Sequence, residues 1–308
     1  MPELPEVYTT TLGVNKVLKG RTFLDVWTSL NSKDKRQSDT IKNPLFFKKL
    51  QKEIKGKKFL KAERIGKNIL IHISDGKTIL IHMKMTGHLM YGKYEYDKKN
   101  NSWIPHKDEK NEKLRDPYNR FVRVVFILDN GMHLVFCDTR KFGKITILNT
   151  EMAKNSKHLN TLGIDALSKD LNAKKFGELL NERANGKIKS VLLDQTKIAG
   201  IGNIYSDEAL WLANIHPLSI VSKIPSNVMA ELYKATVKVL EKGIDFGGDS
   251  TSDYRNIHGE HGKFHHAHNV YRLKGKKCKR KNCEGTIERL VVGGRSAHFC
   301  PVHQKLFK

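Results

Sequence analysis

Two kinds of hydrophobic spacing divide the chain near residue 150. Between about residues 21 and 150, apolar and polar residues alternate in short runs, and two pairs of runs flank the turn sequences Asp75-Gly76 and Asp129-Asn130-Gly131. Such alternation around a short glycine-containing turn is typical of β-hairpins. With a further apolar run at residues 144–148, the first half predicts an antiparallel β-sandwich or barrel.

Helical spacing marks the start of the chain and its second half. Residues 5–18 begin with Pro5 and are followed by Gly20, so they predict a helix with a proline start and a glycine stop. After residue 150, three segments have apolar residues at helical intervals, which predicts a mainly α domain. The last of these segments has one apolar stripe, formed by Val228, Leu232, Ala235 and Val239.

Two segments fit neither spacing. Residues 93–115 are polar and rich in lysine, so we expect an exposed insertion in the β half. Residues 246–268 are loop-like, and the basic tail after them has short β-like pieces. We therefore predict three domains: a β domain with a leading helix at 1–150, a helical domain at 151–248, and a loop with a C-terminal tail at 249–308.

The charge balance indicates a polyanionic partner. Lys and Arg number 56 against 32 Asp and Glu, which gives a formal net charge of +24. Such an excess is typical of proteins that bind nucleic acid. The chain has no apolar run of about 18 residues, and its N-terminus carries two acids instead of a basic region followed by an apolar one. We expect a soluble intracellular protein without a membrane partner, in the nucleus or the cytoplasm.

Three cysteines lie close to the C-terminus in a spacing that predicts a metal site. Cys278-x4-Cys283 is followed, after sixteen residues, by Cys300-x2-His303. Two close ligand pairs separated by a hairpin-length segment are what a tetrahedral structural zinc site requires. We therefore predict one zinc ion. The alternatives for the fourth ligand are His298, His265, His266 and His268.

A glycine-rich turn precedes one of the predicted helices. The turn Ile198-Ala-Gly-Ile-Gly202 lets the backbone approach a ligand closely, and Asn203 begins the helix. The helix dipole and the amide N–H groups at such a position favour a phosphate. Lys189 adds a positive charge, so we expect Asn203 and Lys189 to bind DNA phosphates.

Four parts of the chain resemble the Fpg/Nei family of DNA glycosylases, in the family's order and at about its spacing. They are MPELPEV at 1–7, ERIGKNILIHIS at 63–74, the pair HMKMTGHL at 82–89 and DTRKFG at 138–143, and the segment at 187–219 that begins KIKSVLLDQ. The resemblance implies an α+β multidomain fold, with an N-terminal antiparallel β-sandwich, a helix-two-turns-helix domain and a C-terminal zinc ribbon. It also implies a monomer that acts on damaged DNA.

The resemblance implies a bifunctional glycosylase and AP lyase that excises oxidised bases and cleaves the strand by β/δ-elimination. Removal of Met1 leaves Pro2 as a secondary amine, which attacks sugar C1′ and gives an iminium ion. Glu3 is placed to protonate the sugar ring oxygen or to accept protons, and Glu6 to relay protons or hold a water molecule. The family's lysine that contacts a phosphate beside the lesion corresponds to Lys67.

Further DNA contacts follow from the resemblance. An extruded base leaves a gap, which is filled by an apolar wedge and a donor for the orphaned partner base. The family residues that do this correspond to Met85, Arg140 and Phe142. Lys141 and Thr139 stand where the family usually has arginine and proline. Arg295, between the cysteine pairs, corresponds to the arginine that clamps the phosphates around the extruded nucleotide.

Other functions remain open at this point. One is a non-catalytic protein that binds or senses damaged DNA on the same scaffold, and another is a lyase that acts on abasic sites with little glycosylase activity. The lesion class is open too. The insertion at 93–115, Lys141 and the mixed Cys/His ligand set favour Nei-like members, which prefer oxidised pyrimidines and hydantoins. A loop of Fpg-like length at 249–268 favours Fpg-like members, which prefer oxidised purines. On balance the sequence favours the Nei-like branch.

Overall fold

The computed structural model describes residues 1–308, and the chain divides into two compact units. The first unit comprises residues 1–160 and 246–263, and the second comprises residues 161–245 and 264–308. The domain boundaries at residues 150 and 248 remain predictions from the sequence. The division by contacts differs from them because residues 246–263 pack with the first unit.

The first unit consists of two helices and ten strands. In chain order these are α1 (Leu4–Leu18), β1 (Thr22–Thr28), α2 (Pro44–Ile54), β2 (Lys57–Ile65), β3 (Asn68–Ile73), β4 (Lys77–His82), β5 (His88–Gly92), β6 (Tyr94–Asp97), β7 (Ser102–Pro105), β8 (Val122–Leu128), β9 (His133–Cys137) and β10 (Lys144–Asn149). The leading helix that the proline and glycine signals predicted is therefore confirmed.

Eight strands form one antiparallel sheet in the order β10-β4-β3-β2-β1-β8-β9-β5. Its two four-stranded halves share one hydrophobic core, because Ile71 of β3 and Phe126 of β8 belong to the same buried cluster. Val7 and Val14 of α1 belong to it too. Two layers around one core make the β-sandwich that the alternating pattern predicted.

The insertion covers the outer face of β8. Alternate residues of a strand point to opposite faces, and Val125 accordingly packs in a second cluster, apart from Phe126. Tyr94 and Leu114 of the insertion complete that second cluster and are 3% and 2% exposed. The expectation of an exposed insertion is therefore wrong for these residues, since the second apolar face of β8 has to be covered.

The second unit is mainly helical. Its elements are β11 (Ile164–Asp165), α3 (Ala173–Asn181), α4 (Ile188–Leu192), β12 (Ile198–Ala199), α5 (Asn203–Leu212), α6 (Ser226–Asp245), β13 (Glu288–Val292) and β14 (Arg295–Phe299). In α6, Leu232, Ala235 and Val239 are buried as the stripe predicted, whereas Val228 is partly exposed. None of the helices has the length and apolar content needed to cross a membrane.

Candidate active site and DNA-contacting residues

Glu6 fixes the N-terminal residues in place. Its Oε2 accepts a hydrogen bond from the backbone N–H of Glu3 at 2.7 Å, and its Oε1 accepts one from the N–H of Asp249 at 2.7 Å. Glu3 and Glu6 are 2% and 1% exposed, and Pro2 is buried beside them. Hydrogen bonds from backbone donors and the helix dipole both stabilise a carboxylate at the start of a helix. Glu6 therefore holds the backbone that carries Pro2 and Glu3.

Pro2 lies two residues before the start of α1, separated from it by the N-cap residue Glu3, and Met1 is the exposed residue in front of Pro2. While Met1 is attached, the nitrogen of Pro2 is part of an amide and its lone pair is delocalised. Removal of Met1 turns this nitrogen into a secondary amine next to the buried Glu3. The geometry thus brings together the three predicted residues Pro2, Glu3 and Glu6.

Lys67 lies near a basic cluster at the ends of β3, β4 and β10. The strand register pairs His82 with Asn68 and with Lys144. Burial, together with the charges of Lys84, Lys67 and Lys144, lowers the pKa of His82 to about 3. His82 is therefore neutral at physiological pH.

The tautomer of His82 follows from its hydrogen bond. Nδ1 of His82 lies 3.0 Å from the backbone N–H of Lys84 and accepts from it, so Nε2 carries the ring hydrogen. A neutral N–H donor beside the buried Lys67 and the partly buried Lys84 and Lys144 suits the binding of an anion. His82 was not predicted from the sequence. The signal that could have found it is a histidine at a strand end between Lys67 and Lys84.

Asp138 joins the two loops that carry the predicted wedge residues. Its Oδ1 accepts hydrogen bonds from the hydroxyl of Thr86 and from the N–H of Arg140, the latter at 3.2 Å. Its Oδ2 accepts from the N–H of Gly143 at 2.7 Å. Asp138 is 1% exposed, so this carboxylate sets the position of one loop against the other. Asp138 was not singled out from the sequence, because its partner Thr86 is distant along the chain.

The wedge residues themselves differ in exposure. Phe142 is 48% exposed, and the guanidinium carbon of Arg140 lies 4.6 Å from the centre of its ring. Met85 is partly buried. Phe142 contributes little to the hydrophobic core. Because Arg140 and Phe142 are both exposed on a loop, they are accessible to a ligand. Their contact with DNA stays a prediction.

Gln195 supports the glycine turn before α5. Its Oε1 accepts from the N–H of Gly200 at 3.0 Å, and its Nε2 donates to the carbonyl of Ile201 at 2.8 Å. Asn203 is the first residue of α5, and its side-chain oxygen has no protein partner. The positive end of the helix dipole therefore faces this turn, as the sequence predicted for a phosphate site.

Lys189 lies inside the second unit and not at its surface. It is 0% exposed, and its ammonium donates to the carbonyl of Asn203 at 2.9 Å, to Oγ of Ser206 at 2.8 Å and to Oδ1 of Asp207 at 2.6 Å. An ammonium has three hydrogens, so all of them are used within the protein. The prediction that Lys189 contacts a phosphate directly does not fit this geometry. Lys189 instead positions the start of α5.

Asp207 connects α5 with the C-terminal hairpin. Its Oδ2 lies 3.0 Å from both the backbone nitrogen and Nδ1 of His298. His298 belongs to β14, the strand that begins with the exposed Arg295. Asp207 therefore fixes the hairpin that carries Arg295 relative to Asn203 on α5. His298 is not among the residues whose donor atoms form the metal-ligand cluster.

Cys278, Cys283, Cys300 and His303 form the metal-ligand cluster, with all donor atoms within 4.8 Å of one another. Sγ of Cys283 lies 3.6 Å from Sγ of Cys300, and Nδ1 of His303 lies 3.4 Å from Sγ of Cys278. Donor atoms around tetrahedral zinc, with Zn–S distances of about 2.3 Å, lie about 3.5–3.8 Å apart. Nε2 of His303 faces the carbonyl of Trp211, which leaves Nδ1 for the metal. The cluster thus fits one zinc ion with His303 as the fourth ligand, as predicted.

Family models match three consecutive parts of the chain. The formamidopyrimidine-DNA glycosylase N-terminal domain matches residues 1–145, and the formamidopyrimidine-DNA glycosylase H2TH domain matches residues 162–255. The zinc finger found in FPG and IleRS matches residues 275–302. Together they cover the candidate active site, the glycine turn and most of the metal cluster.

Individual relatives match over nearly the whole chain. The formamidopyrimidine-DNA glycosylase of Pelotomaculum thermopropionicum is 34% identical over 306 residues, which cover 99% of this chain and 100% of the relative. The enzyme of the same name from Herpetosiphon aurantiacus is 35% identical over 310 residues, with 99% and 100% covered. The Lactococcus lactis Fpg in complex with abasic-site DNA has a TM-score of 0.82 and 28% identity, over 99% of this chain and 100% of that one. The chain therefore belongs to the formamidopyrimidine-DNA glycosylase family.

Proposed function

We propose that this DNA glycosylase excises damaged bases in base excision repair and then cleaves the strand, with the amine of Pro2 as its nucleophile. The observation that carries the proposal is the burial of Pro2, Glu3 and Glu6 together, with the carboxylate of Glu6 holding the backbone of Glu3 next to Pro2. The net charge of +24 supports a polyanionic substrate. The protein would act inside the cell, as a monomer on damaged DNA.

The reaction starts once Met1 has been removed. The lone pair of Pro2 forms a bond to C1′ while the bond from C1′ to the base breaks, and the base leaves with the proton that the attacking amine loses. Glu3 then protonates the ring oxygen as the bond between C1′ and that oxygen opens, which gives an iminium ion. Glu6 relays protons and keeps Glu3 in place.

Strand cleavage follows from the iminium ion. Its positive charge makes the C2′ hydrogen acidic, so loss of that proton expels the 3′-phosphate by β-elimination. Loss of a second proton expels the 5′-phosphate by δ-elimination. Water then adds to C1′ of the iminium ion, the bond between C1′ and nitrogen breaks, and the amine of Pro2 is regenerated. Each step needs a proton acceptor or donor near Pro2, and Glu3 fills both roles.

The remaining residues bind and orient the DNA. Lys67 and the neutral donor His82 bind a phosphate near the reacting sugar. Arg140 and Phe142, with Met85, occupy the gap that the extruded base leaves. Asn203 and Arg295 bind further phosphates. A zinc ion bound by the Cys3His cluster would cross-link the C-terminal hairpin and would take no part in the reaction.

We propose formamidopyrimidine lesions as the preferred substrates, in place of the Nei-like preference that the sequence favoured. The relatives described above are named formamidopyrimidine-DNA glycosylases. Solved complexes of the Lactococcus lactis relative contain DNA with Fapy-dG and DNA with an oxidised pyrimidine. An oxidised pyrimidine is therefore a reasonable second substrate, and both belong in the same experiment.

Borohydride trapping tests the covalent step. Borohydride reduces an iminium ion to a stable amine, so protein mixed with lesion-containing duplex and borohydride should give a covalent adduct. Peptide mapping should locate the link at Pro2. The adduct should form faster with a formamidopyrimidine duplex than with an oxidised-pyrimidine duplex of the same sequence.

The control is a protein whose N-terminus is extended by a tag. It should bind the duplex with unchanged affinity, yet form no adduct and cut no strand, because the nitrogen of Pro2 remains an amide. An adduct that maps to a lysine such as Lys67, with full activity in the tagged protein, contradicts the Pro2 mechanism. If the wild-type protein binds damaged DNA and never forms an adduct, the result supports the alternative of a non-catalytic DNA-binding protein.

A further inference from the structure

A loop of the first unit, residues 249–262, contacts Glu6 and α1. We name it the Glu6 loop. It begins with the N–H of Asp249, which donates to Glu6 Oε1, and the hydroxyl of Tyr254 donates to the carbonyl of Glu6 at 3.2 Å. Ile257 packs on α1 so closely that a Cβ at Gly13 would lie 2.6 Å from its Cγ2. The position of Glu6 therefore depends on where this loop lies.

The other side of the Glu6 loop contacts residues 109–118, which we name the brace segment. The ammonium of Lys113 lies 2.5 Å from Oε1 of Glu260, and Nδ2 of Asn111 donates to the carbonyl of His258 at 2.8 Å. The hydrogen bond from Lys113 is the largest cause that lowers the pKa of Glu260, so this carboxyl is ionised at neutral pH. The brace segment spans the end of the insertion and the residues just after it.

The most buried contact between the two segments joins Arg255 and Asp116. Nη2 of Arg255 lies 3.2 Å from Oδ2 of Asp116, and Arg255 is 1% exposed. Its Nη1 donates to the carbonyls of Ser252 and Tyr254, so the guanidinium also ties together the turn that carries Tyr254. A buried guanidinium without its carboxylate is costly, so this pair holds the Glu6 loop strongly to the brace segment.

The brace segment is itself anchored in the β-sandwich. Leu114 is 2% exposed and belongs to the apolar cluster on the outer face of β8. Glu109 accepts a hydrogen bond from the N–H of Lys93 at 2.6 Å, directly after β5. The brace segment thus connects the core of the β-sandwich to the Glu6 loop. A segment without these contacts would be free to move with the loop.

We propose that the brace segment holds the Glu6 loop on α1 and thereby positions Glu6 for the reaction. Asp116 and Lys113 are then positioning residues that act through the loop. The proposal rests on the proposed function for the role of Glu6, whereas the bracing of the loop is a property of the free protein. It gives the insertion at 93–115 a catalytic consequence that its lysine-rich sequence did not indicate.

The substitution Asp116→Asn tests the proposal with little other change. Asparagine keeps the side-chain oxygen that accepts from the N–H of Tyr118 at 2.9 Å, and it removes the charge that faces Arg255. We expect amide hydrogen exchange in residues 249–262 to become about tenfold faster. The single-turnover rate of base excision at saturating DNA should fall by about tenfold, which corresponds to about 1.4 kcal/mol. The Kd for a duplex with an abasic-site analogue should stay within about twofold.

Glu112→Gln is the matched control. Glu112 lies in the same segment, its side chain is 78% exposed, and it pairs with Arg115 of its own segment. This variant should keep the exchange and the excision rate of the wild type. A second test uses charge reversal: Lys113→Glu should act like Asp116→Asn, and adding Glu260→Lys should restore both readouts.

The possible outcomes separate the two proposals. Unchanged exchange or unchanged single-turnover rate in both Asp116→Asn and Lys113→Glu overturns the brace. A fall in rate that is matched by an equal loss of DNA affinity overturns it as well, because Glu6 would then not be the target. A wild-type protein without an adduct at Pro2 instead overturns the proposed function. In that case the hydrogen-exchange measurements still test whether the brace segment holds the Glu6 loop in place.

Discussion

At the scale of single residues, the surroundings of a side chain decide its role. Lys67 and Lys189 were both assigned to phosphate from the sequence. Lys67 lies near a cluster with His82 and Lys84, whose pKa values are both lowered, first by burial. Lys189 gives its hydrogen bonds to the protein, including one to Asp207 at 2.6 Å. The ammonium of Lys189 is therefore committed to groups of the protein, whereas the phosphate contact proposed for Lys67 stays a prediction.

The depressed pKa of His82 predicts a loss of stability in acid. The folded pKa of about 3 lies below the unfolded value of 6.5, so the unfolded state binds more protons between these values. The contribution of His82 to stability is therefore complete above pH 6.5 and is lost as the pH falls towards 3. At pH 5 the loss amounts to at most about 2 kcal/mol.

Denaturant unfolding of His82→Gln checks this prediction. Glutamine does not titrate, so the variant should lose less free energy of unfolding between pH 7.5 and pH 5 than the wild type. His266→Gln, at an exposed position, serves as the control and should behave like the wild type. Equal losses in His82→Gln and the wild type would show that the pKa of His82 is not depressed.

At the scale of elements, the C-terminal hairpin β13–β14 depends on its metal cluster. Its apolar contacts are few, and two of the buried residues there, Cys278 and Cys300, are themselves ligands. Trp211 of α5 packs with them and donates its indole N–H towards Sγ of Cys278 at 3.4 Å. A small element with little core of its own usually needs a metal or a disulfide to be stable.

Loss of one ligand should therefore release zinc and weaken DNA binding. Native mass spectrometry should show one zinc ion in the wild type and none in Cys300→Ser, and affinity for DNA should fall by at least about tenfold. Cys137→Ser is the control, because Cys137 is a buried cysteine of β9 outside the cluster. It should keep the zinc ion. A native mass that shows the wild-type protein without zinc would contradict the assignment of a zinc site.

At the scale of the whole molecule, the net charge of +24 favours binding to DNA, and the cations that contact phosphates set how this binding responds to salt. Each phosphate that a cation neutralises releases counterions, so affinity falls linearly with salt on a logarithmic plot. Most of the lysines contribute only to the general field. Residues that contact a phosphate directly contribute to the slope, and we propose that Arg295, exposed at the start of β14, is such a residue.

Arg295→Ala should weaken binding to all DNA sequences alike and reduce the salt slope by about one unit. Arg289→Ala is the control, because Arg289 is paired with His298 across the hairpin and therefore lies on the face opposite to Arg295. That variant should leave the slope nearly unchanged. An Arg295→Ala protein with altered lesion choice and full affinity would show that Arg295 does not bind a phosphate.

The sequence by itself determined the parts of this protein that depend on local periodicity and spacing. Alternation around short turns gave the strands of the sandwich, and the stripe from Leu232 to Val239 gave α6. The Cys and His spacing predicted the ligand cluster, because two close ligand pairs separated by a hairpin-length segment match the arrangement of structural zinc sites. The proline and the two acids at the N-terminus indicated a helix start that the structure contains.

Only the tertiary structure decided which distant residues meet. The ammonium of Lys189 donates a hydrogen bond to Asp207. The carboxylate of Asp138 accepts one from the hydroxyl of Thr86 on a different loop. Tyr94 and Leu114 of the insertion are buried because they cover a second apolar face of β8. The pattern within the insertion does not reveal this face. Residues 249–262 reach Glu6 from more than 240 positions away along the chain. Burial and neighbouring charges at these contacts set the pKa values and the positions of the side chains. The fold brings those neighbours together, and the local sequence does not specify them.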